Sequence, residues 1–135
     1  MISFNAYGHP NIRASHKNTI EFTREKELSV KGDCILGVDS DFDTGEIAEF
    51  VKDKAKIRVK ITVDGISDEF ECMPNKKFSD NKEMVFRLGE FASERTLGLR
   101  CSKAAKHIKR EIAGKMKIEG KRMRVAIASL SLAQN

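Results

Sequence analysis

The chain has 135 residues, of which 40% are hydrophobic and 33% charged, and its formal net charge is +5. This length suits one domain that buries its own core. The longest apolar run, 125–130, is too short to span a membrane, and residues 1–5 lack the basic start of a signal peptide. Three cysteines far apart in sequence predict free thiols, so we expect a cytoplasmic protein with no membrane partner.

Alternation of apolar and polar residues predicts that most of the chain is β-strand. The alternation is cleanest just before Asp64-Gly65, a dipeptide typical of a two-residue hairpin. Between residues 12 and 23 it puts His16 and Asn18 on the apolar face of one long strand, with a bulge expected at this polar pair. The predicted strands are residues 2–7, 12–23, 34–38, 56–64, 66–73, 83–88, 95–101 and 123–130.

Two helices are also predicted. Asp43 and Glu46 have the spacing of a capping box and begin the first helix, over residues 44–54. Ser102 can cap the second, over residues 103–113, where apolar residues recur at helical spacing. Together these elements predict a single, mainly β and mostly antiparallel domain with about two α-helices. Its architecture would be a sandwich, a jelly-roll-like fold or a partly closed barrel.

The rarest polar residues fall in one block, from Gly8-His9-Pro10-Asn11 to Gly32-Asp33-Cys34. Within it, His16 has two interpretations: a core histidine bonded to the backbone, or a general base or ligand oriented by Asp33 or Glu21. Asp33 can equally bond the backbone of a turn, and Cys34 can be a small buried apolar residue. A metal held by His9, His16, Asp33 and Cys34 is the less favoured hypothesis, and no cofactor is expected.

A second block is strongly basic. Residues 95–124 contain eleven Lys and Arg against only Glu111 and Glu119, which favours an anionic partner or, alternatively, a solvated surface balanced by acids elsewhere. Ser102 would open a helix that can bind an anion, with Lys103 in its first turn. Arg95 could bind the same anion in a bidentate manner, or pair with Asp33 or another buried acid and hold the fold.

In these two blocks the chain resembles a mainly archaeal family known as domain of unknown function 371. The resemblance rests on GHPNIRASHKNTIEFTREKELSVKGDCILGV (residues 8–38) and RTLGLRCSKAAK (residues 95–106). It implies a compact, mostly β domain of sandwich or jelly-roll type, and it implies no activity, substrate or catalytic residue. The chain keeps the family's Gly, His, Pro, Asn, Asp, Cys, Arg and Lys positions but departs at Leu88-Gly89-Glu90, where the family has a basic-serine-acid run.

We therefore expect a binding module for an anionic partner, either RNA or another phosphate-bearing ligand. The alternatives are a small hydrolase or nuclease acting on phosphodiesters, with His9, His16 and Asp33 as catalytic candidates, and a structural or protein-interaction domain. The oligomeric state stays open. The predicted binding residues are His9, Asn11, His16, Asp33, Arg95, Ser102, Lys103, Lys106 and Arg110.

Overall fold

The computed structural model describes residues 1–29 and 32–130. The strands among these residues are β1 (Ile2–Tyr7), β2 (Thr19–Thr23), β3 (Ile35–Gly37), β4 (Ile57–Val63), β5 (Ile66–Pro74), β6 (Glu83–Arg87), β7 (Thr96–Leu99) and β8 (Arg122–Ser129). The helices are α1 (Thr44–Val51) and α2 (Arg110–Lys115), with a 3-10 turn at Ala105–His107. No helix in the described part of the chain is long and apolar enough to cross a membrane.

The strands form one mixed sheet in the order β1-β8-β4-β5-β7-β6-β2-β3. Neighbours are antiparallel except for the pairs β2–β3 and β6–β7, which are parallel. The sheet is not closed, although Tyr7 and Val38 exchange two backbone hydrogen bonds of 2.8 Å between its two edges. The prediction of a mainly β, mostly antiparallel fold with about two α-helices is confirmed.

The two halves of the sheet face each other across a core of aromatic rings. Phe4 on β1 contacts Phe22 on β2 edge to face, at 5.5 Å between ring centroids. Phe70 on β5 contacts Phe86 on β6 in the same manner at 5.2 Å. Such edge-to-face contacts stabilise the core beyond simple apolar burial. They also show that β1-β8-β4-β5 and β7-β6-β2-β3 share one hydrophobic interior.

Local sequence explains the elements that were predicted well. In the β4–β5 hairpin, Asp64 and Gly65 have φ angles of 50° and 79°, as a tight turn with two left-handed residues requires. In α1 the Asp43 carboxylate accepts the Glu46 N–H at 2.9 Å, so the predicted N-cap is confirmed. Cys34, Cys72 and Cys101 are free thiols, as expected.

The predicted strand over residues 12–23 is wrong in its first half, because only Thr19–Thr23 is strand. Ala14 has a φ of 49°, which breaks the extended conformation. The Asp33 carbonyl accepts both the Ser15 and His16 N–H groups, at 2.9 and 3.0 Å, so this segment bonds to a loop and not to a neighbouring strand. The placement of His16 on an apolar strand face is therefore wrong as well.

The predicted helix over residues 103–113 is also wrong. Ser102 does not cap it: its N–H donates to the Glu71 carbonyl and its hydroxyl accepts the Glu71 N–H, so it extends the pairing of β5. Ile108 has a ψ of 141°, which separates the 3-10 turn from α2. The apolar residues on which the prediction depended are nevertheless buried, because the 3-10 turn and α2 both pack against the core. These residues are Ala104, Ala105, Ile108, Ile112 and Met116.

Candidate functional site

The two blocks singled out by the sequence lie side by side. Segment 8–17 runs antiparallel to segment 105–121 and is bonded to it near both of its ends. Five hydrogen bonds connect them: Gly8 N to Lys121 O at 2.8 Å, Gly120 N to Gly8 O at 3.1 Å, His9 N to Met116 O at 2.9 Å, Arg110 Nη1 to Ala14 O at 3.0 Å, and Lys106 N to His16 O at 3.1 Å. We call this paired surface the junction.

Close approach of the two backbones depends on Gly8. A Cβ atom at this position would lie 2.2 Å from the Ile118 carbonyl oxygen and 2.7 Å from the Met116 carbonyl oxygen. Since both obstacles are backbone atoms, any side chain here would push the segments apart. Ile12 and Ala14 are buried beneath the junction and fix it to the core.

His16 and Asp33 are neighbours through the backbone only. The Nδ1 atom of His16 accepts the N–H groups of Asn18 and Thr19, at 3.0 and 3.2 Å, so the ring is used to shape the turn before β2. Asp33 accepts from the His16 N–H with its main-chain carbonyl, while its side chain is exposed. Among the described residues, no hydrogen bond or ion pair joins the Asp33 carboxylate to the His16 ring.

His9 lies at the other end of segment 8–17, away from His16. Its Nδ1 atom accepts the Asn11 N–H at 3.0 Å, and the Asn11 amide donates to the Leu28 carbonyl at 2.9 Å. The ring of His9 is 13% exposed, and its Nε2 atom is 4.0 Å from a carboxylate oxygen of Glu27. Asn11 is thus a structural residue, whereas His9 presents Nε2 to a pocket.

That pocket has a volume of about 280 Å³ and lies where β1 leaves the sheet. The ring of Tyr7 and the backbone of Gly8 form part of its wall. Most of the other lining residues are charged or polar. They are His9, Lys26, Glu27, Val38, Asp39, Glu119 and Gly120. We call it the His9 pocket.

Arg95 belongs to a separate polar cluster on the β2–β3–β6–β7 half of the sheet. Its Nη1 atom donates to Glu83 at 2.6 Å, and Glu83 in turn lies beside the buried carboxyl group of Glu21. The thiol of Cys34 donates to Glu21 at 3.6 Å. Arg95 thus pairs with Glu83, a partly exposed acid, and not with Asp33, and its own side chain is 45% exposed.

Burial shifts the pKa values of this cluster. It raises the pKa of Glu21 to about 7, and the adjacent Glu83 carboxylate adds to the rise while Arg95 opposes it. Burial, followed by the charge of Glu21, also raises the pKa of the Cys34 thiol to about 11. At neutral pH Cys34 is therefore a protonated thiol and a poor nucleophile.

Lys103 has a structural partner that the sequence analysis missed. Its Nζ atom donates at 2.5 Å to Asp68, whose side chain is almost fully buried. Asp68 also accepts the N–H groups of Lys109 and Glu69, at 2.9 and 2.8 Å. The clue was present in the sequence, because the alternation of β5 puts Asp68 on the same side as Phe70 and Cys72.

Arg110 is likewise engaged, but only by neutral groups. Its guanidinium donates to three backbone carbonyls: Ile108 at 2.9 Å, Ala14 at 3.0 Å and Ala105 at 2.7 Å. No carboxylate of the described residues pairs with it, so its charge is not compensated locally. The residue is exposed, so this charge faces solvent.

Several lysines on the junction are exposed and make no side-chain hydrogen bond or ion pair with any residue among 1–29 and 32–130. Lys17 follows His16 directly, and Lys106 donates its backbone N–H to that histidine. Sequence reasoning missed Lys17, since it was assigned to a strand that does not form. We define the basic strip as Lys17, Lys106, Lys109, Arg110 and Lys117.

The four residues of the less favoured metal hypothesis do not come together in the described part of the chain. Across residues 1–29 and 32–130, no three His, Cys, Asp or Glu side chains are arranged to hold a metal ion. His9 faces its own pocket, Cys34 bonds to Glu21, and the Asp33 side chain is exposed.

These features define a small, mainly β domain with a cationic junction and a separate polar pocket. The chain belongs to the family described as "Domain of unknown function (DUF371)", whose model matches residues 4–130. It is similar to an uncharacterised protein of Methanocaldococcus jannaschii, with 40% identity over 124 residues, which cover 87% of this chain and 91% of the relative.

Proposed function

We propose that the protein binds single-stranded RNA, and that the basic strip contacts the phosphates. The observation that carries the proposal is the junction itself. Because segments 8–17 and 105–121 are hydrogen-bonded to each other, Lys17 lies beside cations that are about 90 residues away in sequence. A phosphate backbone needs such a row of positive charges on one surface.

Charge compensation supports this choice of surface. Lys103 pairs with Asp68, and Lys115 and Lys121 share Asp64, so these three lysines of the basic block have acidic partners within the fold. The residues of the basic strip have no such partners among the described residues. Their backbone is fixed by the junction, which lowers the conformational entropy lost when a ligand binds.

The mode of contact follows from the scarcity of aromatic residues. The chain has one tyrosine and no tryptophan, and six of its eight phenylalanines are buried, so few aromatic rings are available for stacking with bases. Contacts to phosphates would dominate, and affinity would depend steeply on salt. Recognition of this kind, together with three free thiols, suits the cytoplasm.

The proposal is tested with a matched pair of double variants and a fluorescently labelled oligouridine. Lys106→Gln/Lys109→Gln removes two charges of the basic strip, while Lys60→Gln/Lys77→Gln removes two exposed charges elsewhere on the surface. We expect the first variant to bind about tenfold more weakly at low salt and the second to bind as wild type does. Equal weakening in both, or no binding by wild type at low salt, would contradict the proposal.

The nuclease hypothesis stays a prediction. One of its two candidate bases, His16, uses Nδ1 to accept two backbone N–H groups, and Asp33 contacts it only through the main chain. The other candidate base, His9, lines the His9 pocket. The same assay addresses it, because the length of the oligouridine can be measured after incubation. Cleavage that is lost in His16→Ala would revive this function.

A further inference from the structure

The His9 pocket differs from the basic strip in chemistry but adjoins it in space. Gly8 accepts the Gly120 N–H at 3.1 Å and donates to the Lys121 carbonyl at 2.8 Å, so the pocket wall is the end of the junction. Tyr7 is held by its two hydrogen bonds to Val38. Backbone bonds therefore fix the part of the wall that Tyr7, Gly8, Val38 and Gly120 form before any ligand enters.

The described residues that line the pocket carry more negative than positive charge, which disfavours a phosphate as its ligand. Among the described residues that line it, Glu27, Asp39 and Glu119 are acidic and Lys26 is basic. An anion would be repelled, whereas a group rich in hydrogen-bond donors would find acceptors. His9 supplies one donor: since Nδ1 accepts the Asn11 N–H, the proton of the neutral ring is on Nε2.

We propose that the His9 pocket binds a guanine base of the RNA held by the basic strip. Guanine alone presents two adjacent donors, N1–H and N2–H₂, which one carboxylate can accept together. Its O6 and N7 atoms are acceptors, suited to His9 Nε2–H or Lys26. Adenine and cytosine place an acceptor beside their amino group, and uracil has a single donor between two carbonyls.

Size and shape agree with a single base. The volume of about 280 Å³ is just below the range of roughly 300–1,000 Å³ found for sites that take drug-sized molecules. The half-buried ring of Tyr7 offers a surface for stacking, which is how unpaired bases in RNA are commonly held. The inference rests on the proposed function, because the strip must bring the base to the pocket.

The test compares three labelled RNA decamers: oligouridine, the same sequence with one central guanosine, and the same with one central adenosine. We expect the guanosine decamer to bind about tenfold or more tightly than the other two. Equal binding of all three would overturn the inference and leave RNA binding by the strip intact. Absence of binding by any decamer would overturn both proposals.

Free guanosine monophosphate distinguishes the two sources of the base. If the guanine belongs to RNA, the mononucleotide binds far more weakly than the guanosine decamer, because it lacks the contacts to the strip. Equal affinity of the two would overturn the assignment to RNA and point to a free nucleotide as the ligand. Titration calorimetry with the intact protein provides both values.

Variants locate the effect in the pocket. Asp39 has a φ of 50°, which asparagine tolerates, so Asp39→Asn keeps the backbone while it removes a carboxylate. Glu119→Gln is the second variant, and Glu46→Gln on the exposed side of α1 is the control. We expect at least one pocket variant to lose the preference for guanosine, with unchanged affinity for oligouridine. Retention of the preference in both would overturn the inference.

Discussion

Glu21 is a carboxyl group with only 6% of its surface exposed, in contact with a second carboxylate and a thiol. Its folded-state pKa of about 7 lies above the ordinary value of 4.5. Below pH 4.5 both the folded and the unfolded chain hold the proton. As the pH rises from there to about 7, only the unfolded chain releases it, so the free energy of unfolding falls.

The substitution Glu21→Gln should remove this pH dependence. We expect wild type and variant to differ little at pH 4, and the variant to be more stable at pH 8 by on the order of 2–3 kcal/mol. Urea unfolding followed by circular dichroism between pH 4 and 8 measures this difference, with the exposed Glu46→Gln as control. A difference that is constant with pH would show that Glu21 ionises normally in the folded protein.

The pKa of Asp68 is shifted in the opposite direction to that of Glu21, because it is lowered in the folded protein. Burial alone would raise its pKa, but hydrogen bonds from Lys103 and from the backbone N–H groups of Lys109 and Glu69 outweigh burial and lower it. Its contribution to stability is therefore present above its ordinary value of 3.8 and lost as the pH falls below it.

Replacing Asp68 by asparagine should destabilise the protein at pH 7. The amide would leave the Lys103 ammonium without its counter-charge and set one donor against another, at a cost of about 2–4 kcal/mol. The midpoint of urea unfolding measures the change. The control is Asp53→Asn, which alters an exposed carboxylate and should leave the midpoint unchanged. Equal midpoints for Asp68→Asn and wild type would refute the structural role of Asp68.

At the scale of elements, the junction depends on the contact of two backbones at Gly8. Gly8→Ala should cost about 1–3 kcal/mol or more, because the added methyl group must displace backbone carbonyls. Gly89→Ala is the matched control, since nothing lies within 4 Å of a Cβ atom there. Thermal unfolding of the two variants compares them directly, and similar melting temperatures would contradict the close approach.

The sequence predicted elements well where local chemistry determined them. The β4–β5 hairpin follows from alternation and from Asp64-Gly65, and α1 follows from its Asp43 cap. Segment 12–18 was mispredicted because its backbone partner, Asp33, lies in a distant loop that alternation does not reveal. The helix expected over 103–113 is interrupted near Ile108, where Asp68 of β5 accepts the next backbone N–H. Both errors arise from contacts that are remote in sequence.

The candidate site shows the same limit. The sequence identified the blocks around His9, His16 and Arg95, but not which of them would meet. The structure brings segment 8–17 to segment 105–121, assigns Arg95 to Glu83, and separates His9 from His16. Residue types alone could suggest a site at His16 and Asp33, whereas only the fold shows that their contact is made by the backbone.

At the scale of the whole molecule, the uneven charge of the chain is the most informative feature. Five residues of the basic block are paired with acids: Lys103 with Asp68, Lys115 and Lys121 with Asp64, Arg95 with Glu83 and Arg100 with Glu90. Four others, Lys106, Lys109, Arg110 and Lys117, form the basic strip together with Lys17. A row of five uncompensated charges is modest for a nucleic-acid-binding surface. Binding should therefore be clear at low salt and weak at high salt.

The dependence of RNA affinity on salt tests the central claim most directly. If the basic strip neutralises three to five phosphates of oligouridine, the logarithm of the binding constant should fall with the logarithm of salt concentration with a slope of about −2 to −3.5. Lys106→Gln/Lys109→Gln should make this slope shallower by about 1.4. An affinity that does not change with salt, or a slope that the double variant leaves unaltered, would contradict RNA binding by this surface.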